Sequence, residues 1–280
     1  MFRFLINIAI ALSCAVIVAG ICIGLFLAST PRPTDIKGCL TTKMFEVRLC
    51  PGEPGYVRLK DVSVQARNAI VVSEDGAFYD HAGFDWVELR SSMEKNMEKG
   101  EYARGGSTIT QQLAKNVYLS SEKSMLRKAR EALITIQIEK LLTKDEILEK
   151  YLNVVEFGDK LYGIGKASQY YFRKPPSQLT AAEGAFLAFL LPSPKKYSVS
   201  FRNKQLTKFA AKQTAEIVNR LHRFKKIDDS QHEAALAEVR SLFGVPEPEP
   251  SLADALEQGV APPEPTPSED EMAFEAGEFE

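Results

Sequence analysis

The feature that most constrains this chain is an uncharged apolar run near its N-terminus. Residues 4–28 contain no Asp, Glu, Lys or Arg, and Ile, Leu, Val, Phe and Ala dominate. As a helix, such a run is long enough to cross a hydrocarbon core of ~30 Å. It is longer than the apolar region of a typical cleaved signal peptide, and Ala28-Ser29-Thr30 is a poor cleavage sequence. An uncleaved transmembrane anchor is therefore favoured over a signal peptide. Basic residues stand on both sides of the run, so they do not decide its orientation.

Charge is distributed unevenly over the rest of the chain. The whole sequence has 35 Lys and Arg against 37 Asp and Glu, but residues 246–280 hold 11 of the acidic residues and no basic one. Residues 1–245 are left with 35 bases and 26 acids, a net charge of +9. A basic body indicates an anionic partner, and the apolar N-terminus points to lipid rather than nucleic acid. The Pro/Glu-rich tail cannot bury a core and is expected to be disordered.

The four cysteines form two pairs in the sequence. Cys14 and Cys22 lie within the apolar run and are expected to act as small apolar residues. Cys39 and Cys50 flank a short polar loop beyond it. A disulfide is expected if that side of the membrane is oxidising, whereas two free thiols are the alternative. The predicted organisation is an anchor (4–28), a linker and membrane-proximal segment (29–60), a catalytic domain (61–245) and an acidic tail (246–280).

A glycine pair, Gly105-Gly106, comes directly before a predicted helix. Thr108 and Gln111 have the spacing of a capping box, so the helix begins there. Its buried stripe recurs every four residues and consists of Ile109, Leu113 and Val117. A second, polar stripe consists of Thr108, Gln112, Lys115 and Asn116. Amides, hydroxyls and a lysine near a helix N-terminus suit the wall of an anion-binding groove, although an ordinary surface helix is the alternative.

Glu74 is expected at the C-terminus of a preceding helix over residues 61–73. Apolar residues at helical spacing predict that helix, namely Val62, Ala66, Ala69 and Ile70. The helix dipole disfavours a negative charge at that end, so Glu74 should bind a proton more readily than an ordinary carboxylate. A solvated turn at Glu74-Asp75 is the alternative.

Further helices are predicted along the chain. Residues 84–102 have apolar positions interleaved with basic ones, which fits either a helix in a membrane surface or a core-packed helix. Residues 124–142 form a long helix with Arg127, Lys128 and Glu131 on one face, the spacing of an ordinary surface ion pair. Strand signals are scarce, so a mainly α fold is expected. The remaining predicted helices cover residues 144–154, 167–172, 181–191, 209–222 and 232–242.

Read together, these segments resemble the peptidoglycan glycosyltransferases of family 51, and most of all their monofunctional membrane-anchored members. The resemblance extends in order over residues 61–197, with an unusual loop at 159–164. The motifs that carry it are Glu74-Asp-x-x-Phe78-x-x-His81-x-Gly83, Gly105-Gly-Ser-Thr-Ile-Thr-Gln-Gln-Leu-Ala-Lys-Asn116 and Arg127-Lys128-x-x-Glu131, followed by segments 147–153, 157–158, 163–164, 171–172 and 179–183.

The resemblance implies a lysozyme-like, mostly helical domain sunk partly into the outer leaflet of the bacterial cytoplasmic membrane, on the periplasmic side. The implied substrate is lipid II, a disaccharide-pentapeptide on a polyprenyl diphosphate. The enzyme would extend a glycan strand through β-1,4 links, with inversion at the donor sugar. Implied partners are lipid II, the growing strand, membrane lipids and other cell-wall synthesis proteins, with no nucleic acid.

The resemblance also assigns roles to residues. Glu74 is the expected base for the acceptor hydroxyl, because a sugar hydroxyl attacks only after losing its proton. Glu131 is the second expected catalytic carboxylate; it would position the donor or bind a divalent metal (Mg or Mn), and no organic cofactor is expected. Cations are expected to neutralise the departing diphosphate. The expected substrate-binding residues are Asp75, Phe78, His81, Ser107, Thr108, Gln111, Gln112, Lys115, Asn116, Arg127 and Lys128.

Two other functions compete with this one. A lysozyme-like hydrolase would also use an acidic Glu, but a neutral glycan offers no diphosphate for the cationic motifs to bind. A catalytically idle scaffold would not need the set of Glu and Lys residues, which is intact here. The polymerase is therefore the favoured hypothesis.

Overall fold

A computed structural model of the chain describes residues 2–99, 106–122, 124–202 and 206–241. Helices dominate these ranges, so the predicted mainly α fold is confirmed. The predicted acidic tail and Gly105 lie outside the described residues. In chain order the helices are α1 (Phe2–Ser29), α2 (Val64–Glu74), α3 (Trp86–Lys99), α4 (Ile109–Tyr118), α5 (Met125–Leu141), α6 (Lys144–Val154), α7 (Ile164–Phe172), α8 (Ala181–Leu190), α9 (Pro194–Tyr197), α10 (Val199–Arg202), α11 (Lys208–Arg223) and α12 (Asp229–Ser241).

The predicted anchor is α1. Among the described residues it is the helix long and apolar enough to cross a membrane, and no residue of its segment Ile10–Ser29 is buried. The end of α1 touches α5 through Arg130, whose guanidinium donates to the Ser29 hydroxyl at 3.2 Å. The same guanidinium lies 5.5 Å from the centre of the Phe26 ring. The exit of the anchor is thus attached to a helix of the domain.

Side-chain caps start several helices where the sequence places them. Thr108, Thr143 and Thr180 each form a complete capping box, at the N-termini of α4, α6 and α8. Ser63 and Ser124 cap α2 and α5 with their hydroxyls. A cap satisfies backbone N–H groups that have no partner inside the helix, so it fixes the first turn locally.

Two groups of helices build the domain. Helix α8 packs against α2, α11 and α12, while α4 packs against α5 and α6. The buried apolar side chains of both groups form one continuous core. Its largest members include Tyr151, Phe78, Phe157 and Phe186. Because α2 belongs to one group and α4 to the other, the C-terminal end of α2 meets α4 where the two groups join.

Two short β-hairpins form where the sequence predicted loops. Strands β1 (Leu40–Thr41) and β2 (Arg48–Leu49) pair antiparallel, as do β3 (Glu156–Gly158) and β4 (Leu161–Tyr162). Cys39 and Cys50 form a disulfide across the first hairpin, which settles the alternative that the sequence left open. Strands of two or three residues are too short to show an alternating pattern, which explains the missed prediction.

The first hairpin is attached to α4 and to the second hairpin. The backbone N–H of Lys43 donates to the Val117 carbonyl at 2.8 Å, and that of Met44 donates to the Asn116 carbonyl at 3.3 Å. The rings of Phe45 and Tyr162 stack with centroids 4.8 Å apart. Leu49 and Ile36, in the segment predicted as a linker, are fully buried. The segment after the anchor is therefore part of the packed domain.

Helix α3 exposes the apolar side chains that were predicted for either a membrane surface or a core. Trp86 is 68% exposed, Met93 57% and Met97 81%. Met125 and Leu126, at the start of α5, are also exposed. Core packing is wrong for these positions, and contact of this helix with a membrane surface stays a prediction.

Helices α2 and α8 come into close contact at Gly184. A Cβ added there would lie 2.6 Å from the Ala66 Cα and 3.1 Å from its Cβ. Two small residues at this crossing therefore let the backbones meet, and the contact fixes the position of α2.

The first prediction concerns this crossing. Gly184→Ala should lower the free energy of unfolding by about 1–3 kcal/mol, because the added methyl group meets backbone that cannot move aside. The measurement is thermal unfolding of the detergent-solubilised protein. Gly38→Ala is the matched control, since a Cβ there would be 3.4 Å from the Asp35 carbonyl, an ordinary contact. Equal melting temperatures for Gly184→Ala and the wild type would contradict the prediction.

Candidate active site

The three sequence motifs meet where α2, α4 and α5 converge. Glu74 is the last residue of α2. Its Oε2 accepts a hydrogen bond of 2.9 Å from the side-chain amide of Gln112 on α4. Lys115 lies one turn further along α4 and interacts electrostatically with both Glu74 and Glu131 of α5. A carboxylate and a set of cations thus share one region of the molecule.

Asp75 connects the first motif to the start of α4. It is nearly fully buried. One carboxylate oxygen accepts from the Ile109 backbone N–H at 3.0 Å, and the other lies 2.9 Å from His81 Nε2. The Gly83 N–H donates to His81 Nδ1 at 3.1 Å, so Nδ1 is the acceptor and Nε2 carries the proton donated to Asp75. Asp75 and His81 therefore hold the loop after Glu74 against α4.

The first turn of α4 is held by groups predicted to bind substrate. Thr108 accepts from the Gln111 N–H and donates its hydroxyl to the Gly83 carbonyl at 2.7 Å. The Gln111 side chain accepts from the Thr108 N–H, which completes the capping box. Both side chains are buried. Thr108 and Gln111 therefore fix the start of the helix in this structure. Their role in substrate binding stays a prediction.

Glu131 brings the cations of α5 together. Its two carboxylate oxygens accept from Arg127 at 3.0 Å and from Lys128 at 2.5 Å. Lys128 also donates to the Ser107 hydroxyl at 3.2 Å, which links α5 to the residue before the α4 cap. The Glu131 side chain is only 2% exposed, whereas those of Arg127 and Lys128 are 19% and 45% exposed. A buried carboxylate thus holds two cations that reach the surface, which differs from the ordinary surface ion pair that the spacing also allowed.

Lys115 is the most strongly perturbed cation of the cluster. Burial lowers the pKa of its ammonium group below the ordinary 10.5, the charge of Glu131 opposes this shift, and Arg127 and Lys128 add to it. Three cations, Lys115, Arg127 and Lys128, lie near two carboxylates, Glu74 and Glu131, so the cluster keeps a net positive charge that favours an anion. The Nε of Arg127 is buried without a hydrogen-bond partner among the described residues. This guanidinium therefore has an N–H donor for which those residues supply no acceptor.

Two predicted site residues are buried in the protein. Phe78 is fully buried in the core, with the Lys144 ammonium 4.5 Å from its ring centre. Asn116 is buried near the end of α4, where its carbonyl accepts from the Met44 N–H. Contacts of these side chains with substrate stay a prediction.

The sequence-based assignment missed Tyr151. This residue lies among apolar positions of α6, is fully buried, and donates its hydroxyl to the Gln112 side-chain carbonyl at 3.1 Å. A tyrosine at a core position of a helix is itself a signal, because a buried phenol needs a hydrogen-bond partner. Glu139 was missed too: it accepts from Thr110 and Lys144 and so ties α4 to the start of α6.

The residues around Glu131 do not fit a resident divalent metal ion. Each Glu131 oxygen already accepts from a cationic side chain, and Lys115 adds a third positive charge nearby. Divalent magnesium and manganese prefer several uncompensated oxygen ligands. In the described part of the chain, the metal-like grouping of acidic and thiol residues is Cys39, Cys50 and Glu53, whose two sulfurs are bonded to each other.

The second prediction tests the Asp75 junction. Asp75→Ala should lower the free energy of unfolding by about 1–3 kcal/mol, because it leaves the Ile109 N–H and His81 Nε2–H buried without their acceptor. Urea unfolding followed by circular dichroism measures the change. Asp145→Ala removes an exposed carboxylate that accepts from Tyr79 at 3.1 Å and serves as the control. Equal losses for the two variants would refute the structural role of Asp75.

Comparisons with known proteins agree with these motifs. The chain is 49% identical over 146 residues to a biosynthetic peptidoglycan transglycosylase of Azoarcus sp. (strain BH72), which covers 52% of this chain and 63% of the relative. It is 47% identical over 149 residues to a protein of the same name from Acinetobacter baylyi, over 53% of this chain and 66% of the relative. The matches thus span slightly less than two thirds of these relatives.

A solved structure also matches part of the chain. It is a crystal structure of penicillin-binding protein 1A from Haemophilus influenzae, 26% identical, with a TM-score of 0.28 over 46% of this chain and 15% of that one. A TM-score this low does not establish a shared fold.

The family match is more extensive than any of these pairwise segments. Residues 47–222 match the Transglycosylase family. The matched segment begins inside the first hairpin and ends in α11. The matched residues include the end of α2, all of α4 and the cationic face of α5. This chain belongs to the transglycosylase family.

Proposed function

We propose that the chain polymerises lipid II into glycan strands of peptidoglycan, by inverting glycosyl transfer with release of polyprenyl diphosphate. The observation that carries the proposal is the placement of one carboxylate, Glu74, in the same region as three cations, Lys115, Arg127 and Lys128. The names of the relatives support it, since they are called biosynthetic peptidoglycan transglycosylases.

Glu74 is the group we assign as general base. It would take the proton of the acceptor sugar hydroxyl as that oxygen attacks the donor carbon. Inversion follows from this single displacement, because the acceptor enters opposite the departing diphosphate. The amide of Gln112 fixes one oxygen of the carboxylate, so the base has a defined orientation before substrate arrives.

The cations are the groups we assign to the leaving diphosphate. Departure of a diphosphate requires neutralisation of charge more than protonation. Arg127 has an unsatisfied buried N–H among the described residues and can bind phosphate oxygens through its planar guanidinium. Glu131 holds Arg127 and Lys128 in place, so we assign it the positioning role and derive no step through a metal ion.

This arrangement favours a polymerase over the two competing functions. A hydrolase of neutral glycan would gain nothing from three cations beside its carboxylate, because its substrate carries no diphosphate for them to bind. A scaffold without catalytic activity would not require Glu74 and Lys115 to share one electrostatic environment. Both functions stay open to the assay described below.

We infer that the domain lies on the periplasmic side of the cytoplasmic membrane, held by α1 as a single-pass anchor. The exposed apolar side chains of α3 and the start of α5 suit contact with lipid. The disulfide between Cys39 and Cys50 directly follows the anchor, and such bonds persist in oxidising compartments. It therefore favours the orientation that the flanking charges left undecided.

The third prediction is that Glu74→Gln abolishes polymer formation while leaving the protein folded. The amide has nearly the shape of the carboxylate but cannot accept the proton, so a loss of at least about a hundredfold is expected. The assay incubates purified protein with labelled lipid II and separates the products by gel electrophoresis. Glu233→Gln on the exposed face of α12 is the control. Full activity of Glu74→Gln would remove Glu74 from the mechanism, and shortening of preformed glycan would favour the hydrolase.

The fourth prediction concerns pH. Because the pKa of Lys115 is lowered by burial, this lysine loses its charge at a lower pH than an exposed one. Activity should therefore fall as pH rises towards the alkaline range. Lys115→Arg should move this alkaline limb to higher pH, since guanidinium keeps its proton. Rates of polymerisation across pH measure the shift, with Lys140→Arg on α5 as the control. Alkaline limbs that coincide in the wild type and Lys115→Arg would contradict the role of the Lys115 charge.

A further inference from the structure

We propose that Tyr151 is a positioning residue for the base, acting on Glu74 through the side-chain amide of Gln112. The inference rests on the proposed function for its catalytic consequence, but the hydrogen-bonded chain itself is a property of the fold. Its three members come from three helices that lie far apart in the sequence, α2, α4 and α6.

Two consecutive hydrogen bonds link Tyr151 to Glu74. The Tyr151 hydroxyl lies 3.1 Å from the Gln112 Oε1, and the Gln112 Nε2 lies 2.9 Å from the Glu74 Oε2. Tyr151 is fully buried, whereas Gln112 is half-buried. The Tyr151 end of this hydrogen-bonded chain is therefore packed in the core, and its other end is Glu74, the assigned base.

The chemistry of the three groups fixes the direction of donation. An ionised carboxylate only accepts hydrogen bonds, so the NH2 group of Gln112 must face Glu74. The amide carbonyl then faces Tyr151, whose O–H donates to it. If the amide rotated by half a turn, its carbonyl oxygen would lie against the carboxylate and repel it. Tyr151 therefore stabilises the amide orientation that favours an ionised Glu74.

The environment keeps the phenol in its donating form. Burial raises the pKa of Tyr151, and the charges of Glu74 and Asp75 raise it further. The hydroxyl is therefore protonated throughout the working range of pH. Donation to the amide carbonyl also polarises the amide, which strengthens the hydrogen bond from its N–H to Glu74.

Other charged groups act on Glu74 as well. Lys115 of α4 interacts electrostatically with Glu74, and Asp75 adjoins Glu74 in the sequence. These groups remain in place when the Tyr151 hydroxyl is removed. A change in kcat or in the titration of Glu74 on removal of the Tyr151 hydroxyl alone therefore reports on the hydrogen bonds through Gln112.

The test compares Tyr151→Phe with Tyr118→Phe in the full-length protein. Tyr118 is also buried and donates its hydroxyl to Asp35 at 2.7 Å, but it lies at the other end of α4. Tyr151→Phe should lower kcat by about threefold to tenfold, the range expected for one buried hydrogen bond, with KM for lipid II unchanged. The acid limb of the pH profile should move to higher pH, because Glu74 loses donation to its ionised form. Tyr118→Phe should change neither quantity.

A double-mutant cycle separates positioning from general damage to the fold. In the Gln112→Leu background the link is already broken, so adding Tyr151→Phe should cause no further fall in kcat. Additive losses would mean that Tyr151 acts by another route and would overturn the inference. Wild-type kinetics in Tyr151→Phe would overturn it too, while leaving the proposed function intact.

A measurement without substrate covers the case in which the wild type forms no polymer and the proposed function fails. The carboxyl carbon of Glu74 is assigned by its absence in the spectrum of Glu74→Gln and is then titrated by NMR. The midpoint should rise in Tyr151→Phe and stay constant in Tyr118→Phe; equal midpoints would overturn the inference. If Tyr151→Phe does not fold, the hydroxyl-proton resonance of Tyr151 in the wild type decides, because it should be protected from exchange and should shift in Gln112→Leu.

Discussion

The two hydrogen bonds of the Asp75 carboxylate are the interaction on which the site depends. One oxygen holds the first N–H of α4 and the other holds His81, so a single buried charge joins the end of α2 to the start of α4. The positive end of the α4 dipole compensates that charge, which makes its burial tolerable. Without this junction the base and the cation-bearing helix would belong to two helix groups with no fixed relation.

Much of the helical framework could be predicted from local signals. Thr108, Thr143 and Thr180 mark helix starts because a capping box involves residues only three apart. The burial of Ile109 and Leu113 follows from their spacing on one face. The ion pairs of Glu131 with Arg127 and Lys128 were likewise readable, since i,i+3 and i,i+4 neighbours meet on a helix. What spacing could not show is that the Glu131 carboxylate is buried.

The long-range contacts could not be predicted from the sequence. Nothing in the spacing of Asp75 and Ile109, or of Tyr151 and Gln112, indicates that these pairs meet, because their contacts depend on how whole helices pack. The resemblance to known glycosyltransferases grouped Glu74 with Lys115 and the cations of α5, but it did not separate groups that face a substrate from groups that hold the scaffold. Asp75, Thr108 and Gln111 show the difference: their polar atoms are satisfied inside the protein.

The contact between Arg130 and the end of α1 sets a distance as well as an attachment. Arg130 follows Arg127 by one turn of α5, a separation of about 4.5 Å along the helix axis. Two of the cations assigned to diphosphate, Arg127 and Lys128, therefore lie within one turn of the α5 residue that contacts the end of the anchor. For a substrate whose diphosphate lies at the headgroup level of the bilayer, this means that the prenyl chain can remain among the acyl chains throughout a catalytic cycle. Only the sugars would then have to extend into water.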